Sequence, residues 1–257
     1  MKSLRLTLKK MLWPGLNWVS RDKAKLVNLM LSDDNENKIR TLDIGCGNGF
    51  FTTQAAQRGN SCVGITIHEW EKEKCEEMRD ALSISPERLE FRVSRLSSFS
   101  QETVFRHSFD QILMIDMLEH VLDDIGSLKQ AHDLLSKDGL LFVSVPNRDF
   151  EFDKKASHVT RFENGWHVRH GYTFEQLERL LESAGFEPID RRRYGTLGTA
   201  VVGWIQVNIL RMNDLVMIAF FPVLVMIDWL FRPWKKTHTL LVIARKQSEA
   251  QRINVDR

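Results

Sequence analysis

The chain has 257 residues, 36 Lys and Arg against 34 Asp and Glu, and a hydrophobic share of 43%. Those values fit a folded globular protein with a sizeable core and exclude a disordered, collagenous or disulfide-stapled chain. The net charge of +2 conceals an uneven spread: residues 1–40 carry nine Lys/Arg against four Asp/Glu, residues 194–257 eight against four, and residues 41–193 nineteen against twenty-six.

In chain order, residues 4–31 read as helical, with Leu4, Leu8 and Met11 on one face, and Pro14-Gly15 breaking the helix before a second one at about 19–31. A regular alternation follows. Thr41–Ile44 reads as a strand, Phe51–Arg58 as a helix, Cys62–Ile67 as a strand and Glu69–Leu82 as a charged helix. Leu89–Val93 and Phe109–Ile115 are strands, Val121–Ser136 a helix, Lys137-Asp138-Gly139 a turn and Leu140–Val145 a strand. Val121, Ile125, Leu128 and Leu135 are expected on the inner face of the 121–136 helix. Residues 146–172 form a long polar and aromatic loop, and loops of that length are commonly functional. Thr173 and Gln176 are spaced as a capping box for the next helix, with Gly185 as its C-cap, and Phe186–Arg193 and Thr239–Ala244 complete the strands. Strands alternating with helices predict an α/β fold with a mostly parallel sheet and helices on both faces.

The sharpest motif is Asp43-Ile44-Gly45-Cys46-Gly47-Asn48-Gly49, which ends a strand and opens a helix. Glycines at alternate positions let the backbone turn tightly and approach a ligand, and the helix start offers free N–H groups to a carboxylate. The dinucleotide pattern G-x-G-x-x-G is not met, because the third glycine comes one position early.

The motif, together with Phe109–Ile112 running into Asp116-Met117-Leu118-Glu119-His120-Val121, Leu134–Leu141 and the late helix closing in Ala184-Gly185-Phe186, resembles the class I S-adenosylmethionine-dependent methyltransferases. The resemblance covers residues 39–193 and the last strand. It implies a Rossmann-like seven-stranded sheet, its last strand antiparallel, with S-adenosylmethionine across the C-terminal strand ends. Carried over by position, Asp43, Gly45, Cys46, Gly47 and Gly49 would hold the methionine part, and Asp116 and Met117 would line the same pocket. The sequence departs from the family pattern twice. Thr66 stands where the family has a ribose-gripping carboxylate, with Glu69 three residues late, and Ser94-Arg95 stands where an Asp often meets the adenine. Thr66 is the cofactor contact expected at the ribose, and Ser94 or the backbone alone that at the adenine, since Arg95 cannot accept a hydrogen bond.

Transfer to a hydroxyl benefits from a base, and His120, His167 and His170 are the candidates, with His158 a further loop imidazole. Asp116-x-x-Glu119-His120 also resembles the metal-binding Glu-x-x-Glu-His arrangement of small-RNA 2′-O-methyltransferases and certain quinol O-methyltransferases, with His167 or His170 completing an open site. The Leu-Glu-His-Val string is widespread in metal-free relatives too, and the expected site contains no metal.

Five of the seven tryptophans (Trp13, Trp18, Trp204, Trp229, Trp234) lie in the two basic ends. Leu215–Phe231 is apolar at fifteen of seventeen positions, interrupted by Pro222 and Asp228, which is short for a bilayer span. Tryptophan and lysine beside an apolar helix suit a headgroup interface; the competing arrangement packs the two ends on each other or across a homodimer. The acidic middle disfavours a nucleic-acid partner, even with Arg191-Arg192-Arg193 in a strand. Three cysteines in no zinc pattern, and no unbroken secretory apolar run near Met1, predict a cytoplasmic protein, and the basic, tryptophan-rich ends add the option of a peripheral place on the inner membrane face.

The expected organisation is an N-terminal helical segment (1–38), a methyltransferase core (39–194), a hydrophobic helical insertion (195–236), the last core strand (237–246) and a tail (247–257). The expected function is methyl transfer from S-adenosylmethionine to an apolar or lipid-linked small molecule, at oxygen. An RNA methyltransferase and a non-catalytic binding module with this fold are the alternatives.

Overall fold

The computed structural model describes Trp18, Lys23, Ala24 and residues 39–150, 159–160, 162–163, 166–211, 213–234 and 237–247. Within them a seven-stranded sheet has the order β3-β2-β1-β4-β5-β7-β6. Its strands are β1 (Arg40–Ile44), β2 (Ser61–Thr66), β3 (Leu89–Val93), β4 (Phe109–Ile115), β5 (Leu135–Pro146), β6 (Phe186–Tyr194) and β7 (Thr239–Lys246). The pairings β1/β2, β1/β4, β2/β3 and β4/β5 are parallel, and β7 runs antiparallel to both β5 and β6. This is the sheet the sequence predicts.

Central strands such as Phe109–Ile115 are near-continuous apolar runs because both faces are covered. On one face α1 (Phe50–Gln57) and α2 (Glu69–Ala81) contribute Ala55, Ala56 and Cys75 to a core with Leu89, Phe91 and Leu113. On the other, α3 (Asp124–Leu134) and α4 (Phe174–Ser183) contribute Leu128, Leu134, Leu177 and Leu181 to a core with Ile112, Met114 and Val143. The Thr173–Gln176 capping box is formed in full, and Gly185 follows α4 at φ 88°.

Two boundaries differ from expectation. Helix α3 starts at Asp124, because Asp123 accepts from Gly126 N at 2.8 Å and caps it there. Val121 thus precedes the helix and Ile125 faces solvent. Strand β5 starts at Leu135 and takes in the predicted turn at 137–139. The chain absorbs those residues through a register shift: Phe109 pairs with Leu135, but Gln111 with Leu140.

Helices α5 (Leu197–Asn208) and α6 (Asp214–Phe231) lie between β6 and β7. They close on each other where Gly198 abuts Asp228; a Cβ at Gly198 would lie 2.5 Å from the Asp228 carbonyl oxygen. Val202, Leu210, Met217 and Leu224 form a separate small core. Trp18 joins it, its ring 5.5 Å from Phe221 and its backbone N–H donating to Gln206 Oε1 at 3.0 Å. The two tryptophan-rich ends therefore meet. The rest of the helices predicted over 4–31 lies outside the described residues.

Candidate active site

The strand-end loops gather at the C-terminal edge of β1, β2 and β4. Gly45 N and Cys46 N both donate to Ile65 O at 3.0 Å, which pins the glycine loop to β2. Gly49 caps α1 in the left-handed conformation, φ 70°, and a Cβ there would fall 2.8 Å from Cys75 Sγ and 2.9 Å from Phe91. Gly47 is the opposite case. Its φ is 53°, and a Cβ would meet nothing nearer than Gly45 O at 4.0 Å. The loop is thus packed tightly behind Gly49 and open in front of Gly47, an open cradle that a ligand's polar end can enter.

Asp43 is buried, and its Oδ2 accepts from Thr52 N at 3.1 Å and Thr52 Oγ1 at 2.5 Å. Burial raises its carboxyl to about 6 against the pull of those bonds. The side chain braces the glycine loop against α1, a structural task alongside the ligand contact expected of it. Cys46 is buried, and a hydrogen bond with Cys75 together with burial pushes its thiol far above the ordinary range. The three cysteines are free and buried.

At β2 the structure supplies a residue the sequence reading overlooked. Thr66 Oγ1 donates to the Glu71 carboxylate in the first turn of α2, whereas Glu69 pairs with Lys72 at 3.4 Å. The nearest carboxylate in sequence is therefore not the nearest in space. Because α2 begins at Glu69, its third residue turns back toward the strand end. Ser94 Oγ bonds to Arg95 O at 3.1 Å, and Ser94 N donates to Thr66 O at 2.8 Å, so Ser94 ties β3 to β2. Exposed Ile67 and Val93 leave apolar surface at the ends of these strands.

Beyond β4, Asp116 takes a left-handed backbone, φ 53°, uncommon for a residue with a Cβ and concentrated at functional sites. Asp116 Oδ1 accepts from Ser144 Oγ at 3.0 Å, and Ser144 Oγ lies 3.3 Å from Tyr194 Oη. Asp116 Oδ2 pairs with Lys23 Nζ, reaching in from the N-terminal segment. Met117 adjoins the glycine loop, its Cγ 3.0 Å from where a Gly45 Cβ would be.

Leu118–His120 forms one 3-10 turn that buries Glu119, at 1% exposure, with Oε2 lacking a hydrogen-bond partner. Burial raises the Glu119 carboxyl; Lys23 and Arg169 pull it down. The 166–172 segment is stitched onto this turn. Val168 N donates to Glu119 O at 2.8 Å, and Arg169 donates to Val121 O at 2.8 Å and Leu122 O at 3.0 Å and pairs with Asp124. That brace sets the His167 ring 4.7 Å from His120, edge to face. Burial, with His120 and His170 nearby, lowers His167 to about 4, so its imidazole is neutral at physiological pH. His170 is exposed, and His158 lies outside the described residues.

Glu119, His120 and His167 each offer a ligand atom, all within 4.8 Å of one another, a spacing a divalent ion could accept. Asp116 is not of that set, and the positive charge of Lys23 already acts on Glu119. Sequence periodicity could not reveal Lys23, Ser144 or Tyr194, since each meets the site only through tertiary packing.

Comparison with known proteins decides the family. A model described as a methyltransferase domain matches residues 16–190. The chain belongs to that family. The methyltransferase is 28% identical over 195 residues to the ubiquinone biosynthesis O-methyltransferase of Dinoroseobacter shibae, covering 69% of this chain and 72% of the relative. It is 25% identical to the mitochondrial ubiquinone biosynthesis O-methyltransferase of Bos taurus, over 57% of this chain and 41% of the relative. Among solved structures, a SAM-dependent methyltransferase from Archaeoglobus fulgidus superposes with TM-score 0.60 at 16% identity, covering 93% of this chain and 98% of that one. The 1,6-didemethyltoxoflavin-N1-methyltransferase of Burkholderia thailandensis, solved with its substrate and S-adenosylhomocysteine, superposes with TM-score 0.58 at 19% identity, over 95% and 88%. The methyltransferase is S-adenosylmethionine-dependent, and its residues fit that cofactor. The open cradle at Gly47 suits the amino-acid end, and the Thr66–Glu71 pair suits vicinal hydroxyls.

Proposed function

We propose that this enzyme transfers a methyl group from S-adenosylmethionine to a hydroxyl oxygen of an apolar, lipid-linked small molecule, working at the cytoplasmic face of a membrane. The O-methyltransferase names of its relatives support oxygen as the acceptor. The observation that carries the apolar acceptor is the outer face of α6. Phe220, Val223, Met226, Trp229 and Leu230 are all exposed there, Trp229 at 69%, and Arg232 and Trp234 follow at its end. An apolar strip of that width on a monomer is uncommon without a partner. No helix among the described residues is long and apolar enough to cross a membrane, so α6 would lie along the surface. The competing cover, a second copy of the chain, is an outcome of the test below.

The cofactor, when bound, supplies an electrophilic methyl carbon. The chain's own residues do the rest. Gly45–Gly49 and the Thr66/Glu71 pair would hold the cofactor, and Asp116, Glu119, His120 and His167 would bound the acceptor.

The test uses full-length protein with anionic phosphatidylglycerol vesicles, a membrane lipid extract and methyl-labelled cofactor. The expected result is salt-sensitive co-sedimentation and label in an organic-phase product bearing an O-methyl ether. Label confined to RNA or to water-soluble product, or a dimer that stays in the supernatant at low salt, overturns it.

A further inference from the structure

Lys23, from the N-terminal segment, lies beside Asp116 at the strand ends and is nearly fully buried, at 7% exposure. A buried ammonium is costly unless it is paired or has a task. Its partner, Asp116, is partly open to solvent, sits on strained backbone at the tip of β4 and is held by Ser144. Met117, the next residue, touches the glycine loop. Lys23 Nζ thus stands where the cofactor loop, the Glu119 turn and the N-terminal segment converge. The titratable groups facing it are Asp116 at the end of β4, Glu119 on the 3-10 turn, His167 on the 166–172 segment and His238 ahead of β7.

We propose that Lys23 is the proton acceptor for an ionisable, phenol-type hydroxyl presented at the end of β4. This rests on the O-methylation reading and narrows its substrate class. Matching of acidity supports the choice. A phenol ionises near pH ~10, and His167, held near about 4, is mismatched to it by roughly six pH units. Burial lowers the Lys23 amine toward neutral pH, so a fraction is unprotonated and basic. In the step itself the acceptor O–H bond breaks, an N–H bond forms on Lys23, and the freed oxygen pair takes up the methyl carbon while the cofactor's S–C pair returns to sulfur. The resulting ammonium is stabilised by Asp116 and Glu119 and returns its proton to solvent before the next turnover.

The experiment compares wild type, Lys23→Met and Lys23→Arg on catechol and on the far more acidic 4-nitrocatechol, with S-adenosylmethionine affinity by calorimetry as the folding control. We expect Lys23→Met and Lys23→Arg each to lose about 100-fold or more in kcat/KM on catechol, under about tenfold on 4-nitrocatechol, with cofactor affinity unchanged. Arginine keeps the charge but cannot give up its proton, so the rising limb of the catechol pH profile disappears in Lys23→Arg. Equal losses on both acceptors, or full rescue of catechol turnover by Lys23→Arg, show that Lys23 merely holds Asp116 and overturn the proposal. If Lys23→Met does not fold, Lys23→Arg alone decides it. Wild type that binds cofactor but methylates neither phenol overturns the O-methylation reading, and this inference with it.

Discussion

The Thr66 hydroxyl, at the end of β2, donates to the carboxylate of Glu71 in the first turn of α2. A neutral strand-end residue and a charged helix residue thereby act as one polar group. We expect Glu71→Ala to raise the dissociation constant for S-adenosylmethionine about tenfold, in line with a charge-assisted bond worth about 1.5–3 kcal/mol. Thr66→Val should do nearly as much, and the double variant little more than either. Calorimetry reads all three; unaltered affinity in Glu71→Ala means the pair is purely structural.

The two sides of the glycine loop predict opposite phenotypes. Gly49→Ala drives a methyl into Cys75 and Phe91 and should cost about 2 kcal/mol or more in denaturant unfolding. Gly47→Ala meets open space, so its cost in stability should be only ~1–2 kcal/mol for the left-handed backbone. Its main effect should be weakened cofactor binding. Equal stability losses in the two variants would contradict this division.

His167 ionises near 6.5 when unperturbed and at about 4 in the fold, and His238 at about 4 likewise. Between those values the unfolded chain holds protons that the folded chain refuses, so stability falls as pH drops from about 6.5 toward 4. His167→Asn removes one of the two groups. Urea melts at pH 7.5 and 4.5 should show a smaller acid-induced loss in the variant than in wild type. The same loss in both would place the acid sensitivity elsewhere.

The positive charge of Lys23 already acts on Glu119 beside His120 and His167. Turnover should therefore be unchanged after EDTA treatment and unaffected by added Mg²⁺ or Mn²⁺. Activity abolished by chelation and restored by one of these ions would reassign the cluster as a metal centre.

The sheet was legible because its signals are local: apolar strand runs, a glycine turn, a capping box at Thr173. The methyltransferase family was legible from the same strand-end motifs. The 137–139 boundary was misread because Lys137-Asp138-Gly139 has turn composition but is pulled into β5 by pairing with β4, a tertiary effect on propensity. In the candidate site, Thr66 is legible from its place at the end of β2, while Glu71 is not, because helix geometry, not distance along the chain, decides which carboxylate returns to the strand. Lys23 was invisible for a stronger reason. A single lysine on an amphipathic helix reads as solvated surface until the helix is docked.

Tyr194 and Thr239 are register partners across the β6/β7 ladder, so the chain leaves the sheet for α5 and α6 and re-enters it at the same point. The helical pair is in effect a detachable module. Replacing 197–234 by a short turn should leave the strands, the glycine cradle and cofactor affinity intact. It would also strip Trp18 of its partners Gln206 and Phe221, and with them the anchorage that delivers Lys23. Acceptor chemistry and cofactor binding could then be gained or lost independently, the separation by which one methyltransferase core can be refitted to new acceptors.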